Sequence, residues 1–271
     1  MTTLAEVPHQ RFTEALDDDV YMDVLAFHAK GTYALSPGTM ERAHLTLMPE
    51  ENLKALIGKD VSFVSGLSVD VPLPPAEGPP EQALRRKPSG RNFDDRTELN
   101  FSVVAHLLRE ALTADASGRR AYPSGGALYP VETYVVRTSQ GSIGWPNQEN
   151  VMRLRPMAAA LEIIETGHDT DILLSTLSGF ESEYLGRPHF ALVYAIHLDR
   201  ALFKYEYRGY RLAMMEIGSM YQMCALHAKK LGLENRVWAG FHDHLVSKTL
   251  GIAPTHLLPC VVQFFGRGST A

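Results

Sequence analysis

Residues 122–137 have the sequence YPSGGALYPVETYVVR, a short loop with two adjacent glycines that is framed by prolines and leads directly into a β-branched run. The glycines let the backbone of this loop approach a planar or anionic ligand closely. An ordinary tight turn has the same composition, so the loop alone leaves both interpretations open. It is not a P-loop, because no Gly-Lys-Ser/Thr follows at the required spacing. Residues 132–137 are predicted to form a strand.

Strand and helix patterns alternate in the rest of the chain. Short β-branched and aromatic runs predict two more strands, at residues 190–196 and 257–265. Apolar periodicity predicts helices over residues 102–112, with Ser102 as the N-cap, and over residues 157–166, 170–178 and 208–231. The last helix is apolar on nearly all sides and ends before Gly232, which is typical of a helix at a domain centre or a subunit interface.

A proline-rich stretch divides the chain into two parts. Residues 71–88 hold six prolines in eighteen residues, and this density favours an extended, semi-rigid linker because proline removes amide donors. We therefore predict an N-terminal accessory region over residues 1–80 and a main domain over residues 81–271. The accessory region is expected to be a small α+β module with helices at 19–29 and 50–57.

Composition restricts the possible functions. The chain has 271 residues, of which 45% are hydrophobic, and a net charge of −5, values that are ordinary for a globular protein. This acidic balance argues against a nucleic-acid ligand. We expect a cytoplasmic protein without a membrane span, because neither a secretory signal pattern nor a sufficiently long apolar run is present. Cys224 and Cys260 lack metal-binding spacing and are expected to be free thiols.

Three further stretches carry candidate functional residues. The cations of RRKPSGRNF, residues 85–93, can hold a phosphate, although a solvated linker end has the same composition. Lys204 and Tyr205 are adjacent ahead of the long helix, and they can act as a proton-transfer pair if burial lowers the pKa of the lysine. A surface lysine beside a rim tyrosine is the alternative. No metal site is expected at residues 242–244, because the two histidines point to opposite sides and a third ligand is missing.

Four of these motifs occur together in the order and spacing of a known family: KPSGRNF at 87–93, YPSGGALYPVE at 122–132, KYEYRGYRLAMMEIGSMYQ at 204–222 and WAGFHD at 238–243. In combination they resemble the FMN-dependent nitroreductase superfamily, and within it the azoline dehydrogenase branch. The resemblance is tight from about Lys87 to Gly266 and looser at residues 27–31. It implies an α+β fold with a central, mostly antiparallel sheet packed by helices, in a homodimer that binds FMN at its interface.

The resemblance also implies a role for individual residues. FMN phosphate and ribityl contacts match Lys87, Ser89 and Arg91, and the loop against the isoalloxazine, contributed by the partner subunit, matches Pro123, Ser124 and Gly125. The segment whose amide faces flavin N5 matches Ala239 and Gly240, and the catalytic pair matches Lys204 and Tyr205. Because the family motif usually opens with arginine where Lys87 stands, Arg86 is a further phosphate candidate.

The activity implied by the resemblance is oxidation of thiazoline and oxazoline rings in a ribosomally made precursor peptide to thiazoles and oxazoles, with dioxygen reoxidising the flavin. Such enzymes act with an ATP-dependent cyclodehydratase and a peptide-binding subunit, in synthetases of the microcin B type. Lys204 would take the ring proton while Tyr205 positions or relays it. Two alternatives remain: an NAD(P)H-dependent nitro or quinone reductase, which needs no such base, and a non-catalytic flavin-binding scaffold subunit. The N-terminal region is a candidate docking surface.

Overall fold

The computed structural model describes residues 10–32, 49–52, 57, 72–73, 84–179 and 185–268. Residues 1–34 and 86–271 form one compact unit, and residues 35–85 fall in a second. The predicted linker at 71–88 lies largely outside the described residues, and the predicted helix at 50–57 is described only at residues 50–52, which are helical, and at residue 57.

Seven α-helices have both ends within the described residues. In chain order they are α1 (Gln10–Thr13), α2 (Asp18–Ala29), α3 (Phe101–Leu112), α4 (Thr170–Ser178), α5 (Leu198–Tyr205), α6 (Tyr207–Lys230) and α7 (Asp243–Thr249). The eight described strands are β1 (Leu99–Asn100), β2 (Val131–Arg137), β3 (Ser142–Ile143), β4 (Val151–Arg155), β5 (Ala160–Ile164), β6 (Phe190–His197), β7 (Glu234–Trp238) and β8 (Leu257–Gly266).

Six of these strands form one sheet in the order β5-β4-β2-β6-β8-β7, and every neighbouring pair is antiparallel. The other two, β1 and β3, form a short parallel pair. Strand β6 lies at the centre, and all of its residues except His197 are buried. A central strand covered on both faces needs apolar side chains on both, which is why FALVYAI lacks the alternation of a half-exposed strand.

Two hydrophobic clusters fill the space on either side of the sheet. Phe190, Leu192, Tyr194 and Ile196 of β6 join the cluster beneath α3 and α6. The alternate residues Ala191, Val193 and Ala195 join the cluster beneath α4 and α7. This alternation follows from the two-residue period of a strand. As a result, β6 packs against the helices on both sides of the sheet.

The long helix α6 buries one stripe of its surface, formed by Ala213, Ile217, Met220, Cys224 and Ala228. These residues recur at intervals of three or four, so they lie on one helical face. The helix ends as predicted, because Gly232 follows it with a φ of 69°.

Two local predictions are wrong. Residues 157–166 were expected to be helical, whereas residues 160–164 form β5 and pair with β4 from Arg155↔Ala160 to Val151↔Ile164. The hairpin is decided by this pairing and by the ion pair between Arg153 and Glu162 (2.7 Å), which local helix propensity does not register. The cap of α3 is Asn100 rather than Ser102, and its side chain accepts a hydrogen bond from the Ser102 amide (2.9 Å).

Most other predicted elements are confirmed. The predicted strands at 132–137, 190–196 and 257–265 are β2, β6 and β8, and the predicted helices at 19–29, 170–178 and 208–231 are α2, α4 and α6. Helix α2 buries Val20 and Val24 in the core beneath α6, so this part of the predicted accessory region belongs to the main unit. The domain boundary at residue 80 stays a prediction.

Candidate functional site

Lys204 and Tyr205 end helix α5, and a sharp turn at Glu206 separates them from α6. Glu206 has a φ of 48°, an unusual conformation for a residue other than glycine. The turn is held because the Gly209 amide donates to the Glu206 carbonyl (2.8 Å). Gly209 packs so closely on Ala201 that an added Cβ would clash with the Ala201 carbonyl. Because both helices are in contact here, the end of α5 has a defined position.

The glycine-containing loop is strained. Residues 125–127 form one 3₁₀ turn, in which Gly126 has a φ of 62° and Ala127 a φ of 56°. Tyr129 follows with a φ of 48°, and its amide donates to the Ser124 hydroxyl oxygen (2.8 Å). Non-glycine residues with positive φ persist only where surrounding contacts hold them, and they cluster at functional sites.

The structure brings this loop against the Lys204–Tyr205 pair of the same chain. A Cβ added to Gly126 would lie 2.5 Å from the Tyr205 phenol oxygen and 3.1 Å from Lys204 Nζ. The Lys204 ammonium lies 5.1 Å from the centre of the Tyr205 ring. Because residue 126 is glycine, the space beside it stays open, and the Tyr205 phenol and the Lys204 ammonium point into that space. The burial of Lys204 that a proton-transfer role led us to expect is not seen in the single chain, where this side chain is exposed.

The predicted phosphate-binding residues lie on a segment that is pinned beside β7. The Gly90 amide donates to the Asn235 carbonyl (2.8 Å), and Phe93 is buried. The guanidinium of Arg86 donates to the Ser89 hydroxyl (2.6 Å). Arg86, Lys87 and Arg91 are exposed. A fixed backbone thus carries three cations whose charged groups remain accessible to an anion.

Ala239 and Gly240 are exposed and follow directly after the last residue of β7. The Gly240 carbonyl faces Gly179, whose φ is 59°, and a Cβ at 179 would clash with that carbonyl. Strand β7 therefore carries both predicted FMN segments, since residues 89–90 lie beside its first residues and residues 239–240 continue from its end.

A buried carboxyl beneath the loop was not predicted as a functional residue. Glu216 on α6 is 2% exposed, and burial raises its pKa to about 7, against the smaller opposing effects of Ser124, Arg120, the Val131 amide and Arg200. The sequence contains an indication that Glu216 is buried. It lies three residues after Ala213 and four before Met220, on the apolar stripe of α6.

Within the described residues, no group of three or more His, Cys, Asp or Glu side chains has the arrangement of a metal site. No helix in that part of the chain is both long and apolar enough to cross a bilayer. Cys224 and Cys260 are free cysteines, as expected.

The α+β fold and the motifs of this site define a class of protein. The sequence pattern of the Nitroreductase family matches residues 84–267, and the chain belongs to this family. It is 41% identical over 266 residues to the Microcin B17-processing protein McbC of Escherichia coli, an alignment that covers 97% of this chain and 94% of that protein. It is also 29% identical over 170 residues to the Trifolitoxin-processing protein TfxB of Rhizobium leguminosarum bv. trifolii, covering 58% of this chain and 44% of that one.

A solved structure agrees with this assignment. In the E. coli microcin synthetase McbBCD complex with truncated pro-MccB17 bound, a chain with 41% identity superimposes with a TM-score of 0.89, covering 97% of this chain and 98% of that one. The family resemblance and the α+β fold predicted from the motifs are therefore confirmed. The predicted roles of individual residues, and the homodimer, stay predictions.

Proposed function

We propose that the protein is an FMN-dependent azoline dehydrogenase, which oxidises thiazoline and oxazoline rings of a ribosomally made precursor peptide within a synthetase of the microcin B type. The observation that carries the proposal is the placement of Lys204 and Tyr205 against Gly126 in a nitroreductase-family chain. Its similarity to McbC, a microcin B17-processing protein, and to a chain of a complex with bound pro-MccB17 supports the peptide substrate.

The residues present fit FMN. Arg86, Lys87 and Arg91 offer exposed cations to its phosphate, and Ser89 a hydroxyl. In the 123–125 loop, Gly125 packs on Leu212, and its lack of a side chain lets the backbone approach a planar ring closely. The backbone at Ala239 and Gly240 is exposed for a contact with the same ring. Bound FMN supplies the two-electron acceptor for a hydride, and dioxygen then takes those electrons.

The chain's own residues provide the proton transfer. Aromatising an azoline removes a proton from one ring carbon and a hydride from another. The protein must therefore place a base beside the carbon that loses the proton. We assign the proton to Lys204 Nζ, which is exposed beside the Tyr205 ring and so accessible to a bound peptide. The Tyr205 phenol lies next to it and to Gly126, so it orients the ring or relays the proton. A nicotinamide reductase needs no such base, and this favours the dehydrogenase.

The first experiment mixes the flavin-loaded full chain, alone and with its synthetase subunits, with an azoline-containing peptide in the absence of oxygen. The absorbance of oxidised flavin should bleach with the peptide and persist with NADPH. Lys204→Ala and Tyr205→Phe should slow bleaching on the order of 10²–10⁴-fold with the bound flavin unchanged, the range for loss of a general base. Lys230→Ala, an exposed lysine at the end of α6, is the matched control.

Each other outcome has a defined meaning. Bleaching by NADPH alone indicates a nitro or quinone reductase. Full turnover by Lys204→Ala shows that Lys204 is not the base. Bound flavin that neither the peptide nor NADPH bleaches, or a chain that binds no flavin, indicates a scaffold subunit.

We further propose that the protein is a cytoplasmic homodimer that assembles with an ATP-dependent cyclodehydratase and a peptide-binding subunit. Met214 and Met215 on α6 are 41% and 67% exposed in the single chain and offer an apolar contact surface. Light scattering of the isolated chain measures its mass, and a monomer at micromolar concentration contradicts the dimer. The docking role of residues 1–80 stays a prediction.

A further inference from the structure

The buried carboxyl of Glu216 lies under the loop that faces the proposed catalytic pair. Neither of its oxygens is accessible to solvent, and neither has a hydrogen bond of normal geometry within the described residues. The Ser124 hydroxyl and the Val131 amide are still close enough to lower the pKa of this carboxyl against the larger effect of burial. Glu216 therefore faces both ends of the 124–131 segment.

Ser124 links the carboxyl to the shape of the loop. Its hydroxyl oxygen accepts the Tyr129 amide (2.8 Å), which leaves the single hydroxyl proton to be donated elsewhere. Glu216 is the carboxyl on the loop-facing side of α6, one helical turn after Leu212, which packs on Gly125, and Ser124 acts to lower its pKa. A charged carboxylate holds this proton and the Val131 amide more strongly than a neutral acid does. The charge of Glu216 thus acts on the loop that carries Gly126.

Cations and a phenol surround the carboxyl from the neighbouring elements. Arg120 stacks on the Tyr129 ring at 4.3 Å, and its guanidinium donates to the Tyr122 phenol oxygen (2.8 Å). Arg200 of α5 lies 3.9 Å from Glu132 of β2. Arg120 and Arg200 both favour the charged form of Glu216, while the phenol of Tyr122 is the other titratable group coupled to it. This cluster joins α5, α6, β2 and the loop.

We propose that Glu216 is a positioning residue, whose carboxylate holds the 124–131 segment through Ser124 and the Val131 amide and so sets the distance between Gly126 and the Lys204–Tyr205 pair. The proposal rests on the proposed function for its effect on rate, but the coupling between carboxyl and loop does not depend on the substrate. When Glu216 gains a proton, the loop loses its charged acceptor and the pair loses its placement. Activity should then rise with pH as the carboxyl ionises.

Glu216→Gln keeps the shape of the side chain and removes its titration. In the loaded enzyme, flavin reduction by an azoline peptide should increase about tenfold between about pH 6 and pH 8, centred on the ionisation of Glu216. Glu216→Gln should lack this step between pH 6 and pH 8 and stay about tenfold slower than the wild type at pH 8. Glu110→Gln, which removes an exposed carboxyl on α3, should keep the wild-type profile.

A second measurement needs no substrate. The visible circular dichroism of bound FMN reports the loop against its ring, and it should change with pH in the wild type and in Glu110→Gln but not in Glu216→Gln. If neither the wild type nor any variant oxidises the ring, the proposed function is overturned. The positioning role still stands in that case if the spectral transition is seen in the wild type and in Glu110→Gln but not in Glu216→Gln. A pH transition that persists in Glu216→Gln overturns the positioning role.

Discussion

Replacing Gly126 with alanine tests the contact between the loop and the proposed catalytic pair. We expect Gly126→Ala to fold and to oxidise azoline rings about 100-fold more slowly than the wild type. The physical reason is that the new methyl group would occupy the space between the loop and the polar ends of Lys204 and Tyr205. Neither of those side chains is itself changed.

The substitution has one effect on stability and a separate effect on rate. Gly126 has a φ of 62°, so any side chain there costs about 1 kcal/mol in backbone strain. The Cβ would lie 2.5 Å from the Tyr205 phenol oxygen, whereas ordinary contacts begin at 3.4 Å. The phenol must therefore move by about 1 Å, and a misplacement of that size costs about 10²-fold in rate, or about 2.7 kcal/mol of transition-state stabilisation.

Gly167→Ala is the matched control. Gly167 has a φ of 65°, nearly that of Gly126, but nothing lies within 4 Å of its added Cβ. Both variants should lose similar stability in thermal unfolding, while only Gly126→Ala should slow anaerobic flavin bleaching by the peptide. Equal rates in the two variants, with flavin content matched, would show that the 126 loop does not lie against the pair during the reaction.

Two further predictions concern stability. Burial raises the pKa of Glu216 from 4.5 to about 7, so the folded state binds this proton more tightly than the unfolded chain and its stabilising effect is lost as pH rises through that interval. The free energy of unfolding of Glu216→Gln should therefore equal that of the wild type near pH 4.5 and exceed it by up to about 3 kcal/mol above pH 7. Urea titration at each pH measures both values, and an equal difference at all pH values contradicts this expectation. Gly209→Ala should destabilise by about 1–3 kcal/mol, because the methyl group clashes with the Ala201 carbonyl where α5 meets α6. Gly218→Ala on the same helix, with only the Tyr221 hydroxyl at 3.9 Å from its Cβ, should be neutral or stabilising in thermal unfolding, and similar melting temperatures for the two variants would refute the packing argument.

Local pattern was sufficient for the elements whose own residues decide their structure. The run at 190–196 is apolar throughout and rich in β-branched and aromatic residues, which is typical of a strand covered on both faces. The stripe on α6 and the glycine after it specify a long helix and its end, because both are properties of consecutive residues. The motif resemblance rests on the same kind of local information.

Local pattern was insufficient where a distant partner decides the structure. Residues 160–164 favour a helix by composition, but β4 offers hydrogen bonds and an ion pair through Arg153. Glu216 was not predicted as a functional residue, because its effect depends on Ser124, which is far away in sequence and close to it in the folded chain.

The sequence by itself determined the family, the sheet and helix classes and the residue types that can carry FMN chemistry. Only the tertiary structure decided that Gly126 meets Tyr205 and Lys204, and that a carboxyl lies buried beneath that contact. The physical reason is that periodicity and turn chemistry act between residues a few positions apart. Site geometry and the pKa of a buried acid arise from packing between segments that the chain brings together only on folding.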